Sequence, residues 1–398
     1  MVTRTISHAL VGIFCLFTVV GGSVSRAQET RGFKYNNLTV SPYVNLDYTY
    51  DSNVDYGEGD EENADQILNI TPGVDLTYTG NEWGLSGNAW YGYDKYIDYD
   101  ELDADRYGES LQFYRESAKG WRLLLGQSYV KSSQNDSILD GGRGIWRDRD
   151  QFDLNGALSY QLSERTGITL SGMYSELSYE NDSKEYAPLY GTENWAAGLE
   201  FSRKLTEKSN LLLSGTYNQY VSDGATTVDD ESTGYSLMVG FGSRATRKIT
   251  YRVMTGVEWF DYGGDDILMG WTYSLGANWM INRKLSLSVS GSSHYQPSED
   301  QANQAMQVYT LSSGLTYQPM EKLTTRFDVA IRREENEYDS GNVDASTDDE
   351  VAARFRADYR LMRYVTMYGG LEYETQFSDN DDSEFDRYRV MLGLQFRY

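Results

Sequence analysis

The sequence predicts an all-β fold, a transmembrane up-and-down antiparallel β-barrel of about 18 strands, with roughly 16–20 as the bounds. Three observations predict it. The last stretch alternates without a break: Tyr388, Val390, Leu392, Leu394, Phe396 and Tyr398 are separated by Arg389, Met391, Gly393, Gln395 and Arg397. Successive side chains of a strand point to opposite faces, so one face is apolar with aromatic ends and the other polar and basic. The same alternation recurs along the chain, and its connections alternate between short basic turns and long acidic loops. Short turns at one end and long loops at the other are the anatomy of an outer-membrane barrel.

The first row is Pro42, Val44, Leu46, Tyr48 and Tyr50, within Ser41 to Asn53. Pro72, Val74, Leu76 and Tyr78 repeat it. The tight turn Gly80-Asn81-Glu82 then leads to Trp83, Leu85, Gly87, Ala89, Tyr91 and Tyr93. Tyr107 to Arg115 passes through Ala118-Lys119-Gly120 into Trp121, Leu123, Leu125, Gln127 and Tyr129. Rows anchored on Leu154, Leu170, Leu199, Leu213, Leu237 and Val253 follow. Trp271, Tyr273, Leu275, Ala277, Trp279 and Ile281 form the cleanest aromatic-to-aromatic row. Rows on Leu287, Leu311, Phe327, Phe355 and Met367 precede the terminal strand. Period two scatters apolar residues around a helix, which excludes amphipathic helices here. A soluble β-propeller would not require the alternation of connection length and charge. Arg203-Lys204, Arg247-Lys248, Arg283-Lys284, Glu321-Lys322, Arg360 and Arg363 mark short turns. Asp55 to Asp65, Asp94 to Asp105, Asp223 to Glu231, Glu334 to Glu350 and Asp379 to Asp386 mark long ones.

Composition agrees. Hydrophobic residues make up 39% of 398, below the roughly 45–50% of globular domains, while 34 Tyr and 8 Trp supply amphipathic rings suited to a membrane interface. Aromatic content of 14% excludes an ordinary disordered chain. The net charge of -25 makes nucleic acid an unsuitable partner. Arg4, the apolar run Ala9 to Val20 and Ser25-Arg26-Ala27 read as a signal peptide over residues 1–27, leaving residues 28–398 as a single barrel domain. The only cysteine, Cys15, lies inside that segment, so the mature chain offers no disulfide, thiolate or cysteine metal site.

With the apolar rows toward lipid, the alternate residues face the lumen. Many are small and polar, among them Thr169, Ser171, Ser214, Thr216, Ser236, Gly240, Thr272, Ser274, Ser286, Ser288 and Ser290. About 18 strands enclose water rather than a packed core. The C-terminal quarter adds charge at lumen positions: Arg326, Asp328, Arg332, Arg354, Arg356, Asp358, Arg360, Glu372, Glu374, Arg387 and Arg389. An arginine facing lipid costs about 2–4 kcal/mol at mid-bilayer, so these are candidate pore-lining residues. They either set a transverse field across the pore or form salt bridges along the wall. The acidic loops lack an EF-hand spacing; Asp379-Asn380-Asp381-Asp382 has neither the glycine nor the distal glutamate, so a solvated surface accounts for them. The mature chain has one histidine, His294, and nothing to make it a catalytic base, so no enzyme is expected. No cofactor and no metal are expected either.

The chain end, Tyr398 with Phe396 and the alternate apolar residues before it, resembles the terminal signal that the assembly machinery of outer-membrane barrels reads. Ser41-Pro42 with Tyr50-Asp51-Ser52-Asn53-Val54, then Ile70-Thr71-Pro72-Gly73-Val74 closing on Tyr78 and Gly80, resembles the start of the β-barrel porin-2 family. That resemblance implies an outer-membrane barrel, and members of such families are often associated with exopolysaccharide export; it implies no catalytic residues. The expected function is a passive channel for ions or small hydrophilic solutes in the cell outer membrane, among lipid and lipopolysaccharide. The alternatives are an export pore for an exopolysaccharide, with polysaccharide as partner, and a structural or adhesive barrel with acidic surface loops.

Overall fold

The structure is a computed structural model that describes residues 32–54, 56, 62–118, 120–132, 148–179, 191–223, 231–262, 267–297, 305–337, 347–378 and 384–398. The expected signal peptide, residues 1–27, lies outside the described residues, as do parts of four of the five expected acidic loops. After a three-residue strand β1 (Phe33–Tyr35), eighteen long strands follow in chain order: β2 (Leu38–Asp51), β3 (Asp65–Thr79), β4 (Trp83–Tyr96), β5 (Ala104–Glu116), β6 (Trp121–Ser132), β7 (Arg149–Ser163), β8 (Thr166–Tyr179), β9 (Gly191–Lys204), β10 (Ser209–Asp223), β11 (Glu231–Ser243), β12 (Ile249–Asp261), β13 (Leu268–Met280), β14 (Leu285–Pro297), β15 (Ala305–Met320), β16 (Leu323–Glu337), β17 (Thr347–Met362), β18 (Val365–Ser378) and β19 (Phe385–Arg397). Each pairs antiparallel with its neighbours in the chain, and β19 pairs with β2 from Arg397 opposite Tyr43 to Arg389 opposite Asp51. The sheet is therefore a closed 18-strand barrel with no free edge.

Strand β1 is absent from the expected set, because three residues carry no readable period. It pairs with the start of β2, Phe33 opposite Val40, and so extends the β19 ladder beyond the chain end. There Tyr398 donates its N–H to the Pro42 carbonyl at 3.1 Å, and its ring packs on Phe33 (4.7 Å) and stacks on Tyr364 (5.3 Å). The final aromatic thus pins the seam at the short-turn end.

The period-two rows face outward. Trp271 is 73% exposed and Leu392 58%, values that only a lipid-facing surface makes sensible for such residues. Among the described residues no helix is long and apolar enough to cross a membrane; the crossing is made by strands. Two aromatic belts bound the apolar band. At the short-turn end Tyr78 stacks on Trp83 at 4.3 Å. At the long-loop end Tyr174 lies 4.3 Å from Trp195 and Tyr217 5.2 Å from Tyr235. In the outer belt several phenols donate to carboxylates on the same face: Tyr129 to Asp150 (2.5 Å), Tyr174 to Glu176 (2.8 Å) and Tyr373 to Asp386 (2.7 Å). The polar tip of the ring is satisfied where the bilayer becomes wet.

The strands run further than their apolar rows indicated. Asp65, Asp94, Glu334 and Glu350, expected in solvated acidic loops, are strand residues and buried. The Asp65 carboxylate accepts the N–H groups of Gln66, Asp98 and Tyr99 and so caps the turn that follows β4. Only residues 97–103 of the expected loop Asp94 to Asp105 are outside the strands. Alternation of charge with apolar residues continues past the bilayer, where the outward side is no longer required to be greasy.

Candidate functional site

Period-two strands closed into a ring give a lumen wall made of every second residue. On β7 to β15 this wall is mostly hydroxyl. Ser159 and Thr169 lie 3.0 Å apart, Ser290 and Ser312 2.7 Å, Ser292 and Thr310 2.9 Å, and Thr216 bonds Ser236. These are cross-strand pairs on one face, each satisfying its neighbour. A Cβ added at Gly276, an inward position of β13, would meet nothing within 4 Å, so the lumen beside it is open space. The Arg252–Glu200 pair is the main ion pair on this sector among the described residues.

From β16 through the seam to β5 the same wall carries charge, strand to strand. Arg354 and Arg389 both bind the buried Glu372 carboxylate from either side. Arg387, itself buried, grips Asp51 with both its Nε and Nη2, lies 4.0 Å from Glu374 and covers the Tyr56 ring at 4.4 Å. Arg332 pairs with Glu334. Arg356 binds Asp358 at 2.9 Å and lies 4.0 Å from the centre of the Tyr368 ring, whose hydroxyl donates to Asp47. Arg326 stands 4.0 Å from Asp328 with its side chain 61% exposed to the lumen. Ten of the eleven expected pore-lining residues therefore share one face and one connected sector. Arg360 does not join them: it donates to the Glu321 carbonyl at 3.1 Å and caps the β15–β16 turn at the rim.

Five further members of this sector, Asp47, Asp51, Asp75, Asp94 and Arg106, come from the N-terminal strands. Arg397 binds Asp75, and Arg106 pairs with Asp94, which also accepts from Asn69. Their signal in the sequence is parity alone: barrel closure sets β2 beside β19, which brings Asp51 to Arg387. Above the mouth, Lys95 donates to Asp103 at 2.6 Å, and that hydrogen bond holds the half-buried Asp103 carboxyl below its ordinary range.

The wall also folds inward at one place. Pairing of β13 with β14 stops at Tyr273 opposite Ser293, while β14 and β15 stay paired out to Pro297 opposite Ala305. Beyond Ser293 the Tyr295 N–H reaches the Glu258 carboxylate at 3.2 Å, and its ring stacks 6.0 Å from Phe260. Glu258, Phe260 and Tyr220 occupy lumen positions of β12 and β10, so the outer β14–β15 hairpin has left the wall and lies across their inner face. Ala305, Met306 and Val308 are fully buried by this infold. His294 is half-buried within it, its Nε2 3.3 Å from the Gln296 amide oxygen. The outer lumen is narrowed on this side, and the inner lumen remains open.

A closed barrel with an apolar outer band, two aromatic belts and a polar lumen defines an outer-membrane channel barrel. The model of the family Putative beta-barrel porin 2 matches residues 26–398, and the chain belongs to that family: it is a porin-like channel of the outer membrane. Among solved structures it is similar to the outer-membrane channel DcaP of Acinetobacter baumannii (14% identity, 92% of this chain and 99% of that chain, TM-score 0.45). It is also similar to OpdK of Pseudomonas aeruginosa with vanillate (11% identity, 90% and 99%, TM-score 0.46). The FrpB iron transporter of Neisseria meningitidis is a third (9% identity, 92% and 82%, TM-score 0.47). No curated protein matches the chain in sequence.

Proposed function

We propose that the chain passes ions and small hydrophilic solutes by diffusion, without catalysis, and with a mild preference for cations. One observation carries this: the inner half of the lumen is lined by hydroxyl groups and by arginine–carboxylate pairs that stand beside open space. Small hydroxyl groups exchange their hydrogen bonds with a passing hydrated solute at little cost. The lumen arginines are balanced by neighbouring carboxylates, so the excess acid of the chain sets the sign of selectivity. Refolded protein in a planar bilayer is expected to conduct, with a reversal potential on the cation side under a salt gradient. A chloride-side potential overturns the preference, and no conductance in the wild type or in a variant trimmed at residues 298–304 overturns the channel. In that outcome an export duct predicts loss of secreted polymer on gene deletion, and an adhesive barrel predicts none.

The delivery route is proposed on sequence alone. Cleavage before Gln28 and recognition of Tyr398 and Phe396 by the assembly machinery would place the barrel among outer-membrane lipid and lipopolysaccharide. Intact mass of the membrane-extracted protein tests the first, and accumulation of a Tyr398→Ala variant outside the membrane tests the second.

A further inference from the structure

We propose that a recess on the lumen face of β14 to β17 is a binding subsite for a neutral polyhydroxylated solute, a monosaccharide or disaccharide; the proposal deepens the channel reading and rests on it for access. The recess has a volume of about 380 Å³ and is lined by Ser288, Ser290, Ser312, Arg326, Asp328 and Arg354. That is the lower end of the roughly 300–1,000 Å³ of small-ligand pockets. It lies in the inner, open half of the lumen, below the infolded hairpin.

Its chemistry fits vicinal hydroxyls. The Ser290 and Ser312 hydroxyls bond each other at 2.7 Å, and Ser288 donates to the Gly314 carbonyl at 3.2 Å. Each hydroxyl has a single donor and two acceptor sites, so these bonds leave acceptor capacity toward the lumen. Asp328 adds a carboxylate that accepts from two adjacent hydroxyls, and Arg326 adds a donor fork 4.0 Å away. The absence of a side chain at Gly314 lets the Asp328 carboxylate and the Ser288 hydroxyl close over β15 and form one wall of the recess. A Cβ there would lie 2.7 Å from the Asp328 Oδ1 and 3.0 Å from the Ser288 Oγ.

Charge balance decides between solute classes. Arg326 is offset by Asp328, and Arg354 is bound to Glu372. An entering anion meets Asp328 and an entering cation meets two guanidinium groups, whereas a neutral polyol meets donors and acceptors in alternation. An ion attracted to Arg326 or to Asp328 finds the opposite member of the pair, of its own sign, 4.0 Å away.

The test uses the full chain refolded in a detergent without a sugar headgroup, with saturation-transfer NMR to glucose, maltose, tetraethylene glycol and gluconate. Transfer to the two sugars is expected to saturate, and transfer to tetraethylene glycol is not. Asp328→Asn and Gly314→Val are each expected to weaken sugar binding by about tenfold, the cost of one hydrogen bond to a charged group. Equal behaviour of glucose and tetraethylene glycol overturns the subsite, as does sugar binding unchanged in both variants. A preference for gluconate that is lost in Arg326→Gln overturns it in favour of an anion site. Heat-modified gel mobility shows that each variant has folded. Saturable sugar binding without bilayer conductance would remove the channel reading and keep the subsite; conductance without saturable sugar binding would do the reverse.

Discussion

The inner faces of β7 to β15 and of β16 to β19 with β2 to β5 stand on the same pleat, behind the same apolar band, yet they are built from different chemistry. The first is held by hydroxyls such as Ser290 with Ser312, each bond worth about 1 kcal/mol net. The second is held by ion pairs such as Arg387 with Asp51, buried on both sides. The bilayer constrains only the outward residues; every inward residue is free to specialise. Burial then determines what specialisation means. Where the seam sector is dry, toward the long loops, its charges are consumed by one another. Where it is wet, around Arg326 and Asp328, they remain available to a solute.

The largest expected effect breaks the dry pair. Asp51→Asn leaves the Arg387 guanidinium buried without its partner carboxylate, which costs about 3–5 kcal/mol. Ser290→Ala, its counterpart on the hydroxyl sector, should cost about 1 kcal/mol or less. Urea unfolding of the refolded protein measures both; similar losses would mean that the two sectors are equally load-sharing.

The next compares the two faces of one strand. Leu275→Arg places a charge on the lipid side of β13 and should cost about 2–4 kcal/mol of folding into vesicles. Gly276→Arg, one residue on, has open lumen before it. It should fold like the wild type and reduce single-channel conductance. A Gly276→Arg protein that conducts like the wild type would sink the assignment of that face to the pore.

A smaller effect belongs to the wet pair. Arg326→Gln removes the guanidinium that offsets Asp328 and should move the reversal potential further toward cations, leaving stability within about 0.5 kcal/mol of the wild type. An anion-side shift would show that Asp328 does not see the permeating ion.

Most of the barrel is written in the sequence as parity. A row such as Trp271 to Trp279 has a single solution as a strand, and eighteen such rows close into one ring. Parity is also why the eleven charged positions could be assigned to one face, ten of which meet in one sector. Closure is what the sequence does not state locally: nothing near Asp51 or Asp94 shows that β2, and through it β3 and β4, lies beside the arginine-rich end. Nor does parity reveal direction in space. His294 and Tyr295 continue the alternation of β14, and only the contacts with Glu258 and Phe260 show that the hairpin has turned into the lumen. Arg360 obeys parity too, but at a strand end a long side chain reaches the nearest turn carbonyl instead of the pore.

The smallest expected effect lies outside both sectors and tests whether charge at the mouth is screened by water and salt. Lys95 donates to Asp103, and this hydrogen bond lowers the Asp103 carboxyl below its ordinary value. A carboxyl whose folded pKa is depressed stabilises the fold above its unfolded pKa, and that contribution is lost as pH falls through the folded value. Lys95→Met should therefore lower the melting temperature slightly at neutral pH. The gap from the wild type should close on acidification below the ordinary carboxylate range, and narrow in high salt, since the Lys95 end of the pair is open to solvent. Melting followed by circular dichroism at neutral and acid pH, with and without salt, measures it. A gap that persists in acid would mean that Lys95 acts through its hydrocarbon stem against the outer belt and not through Asp103.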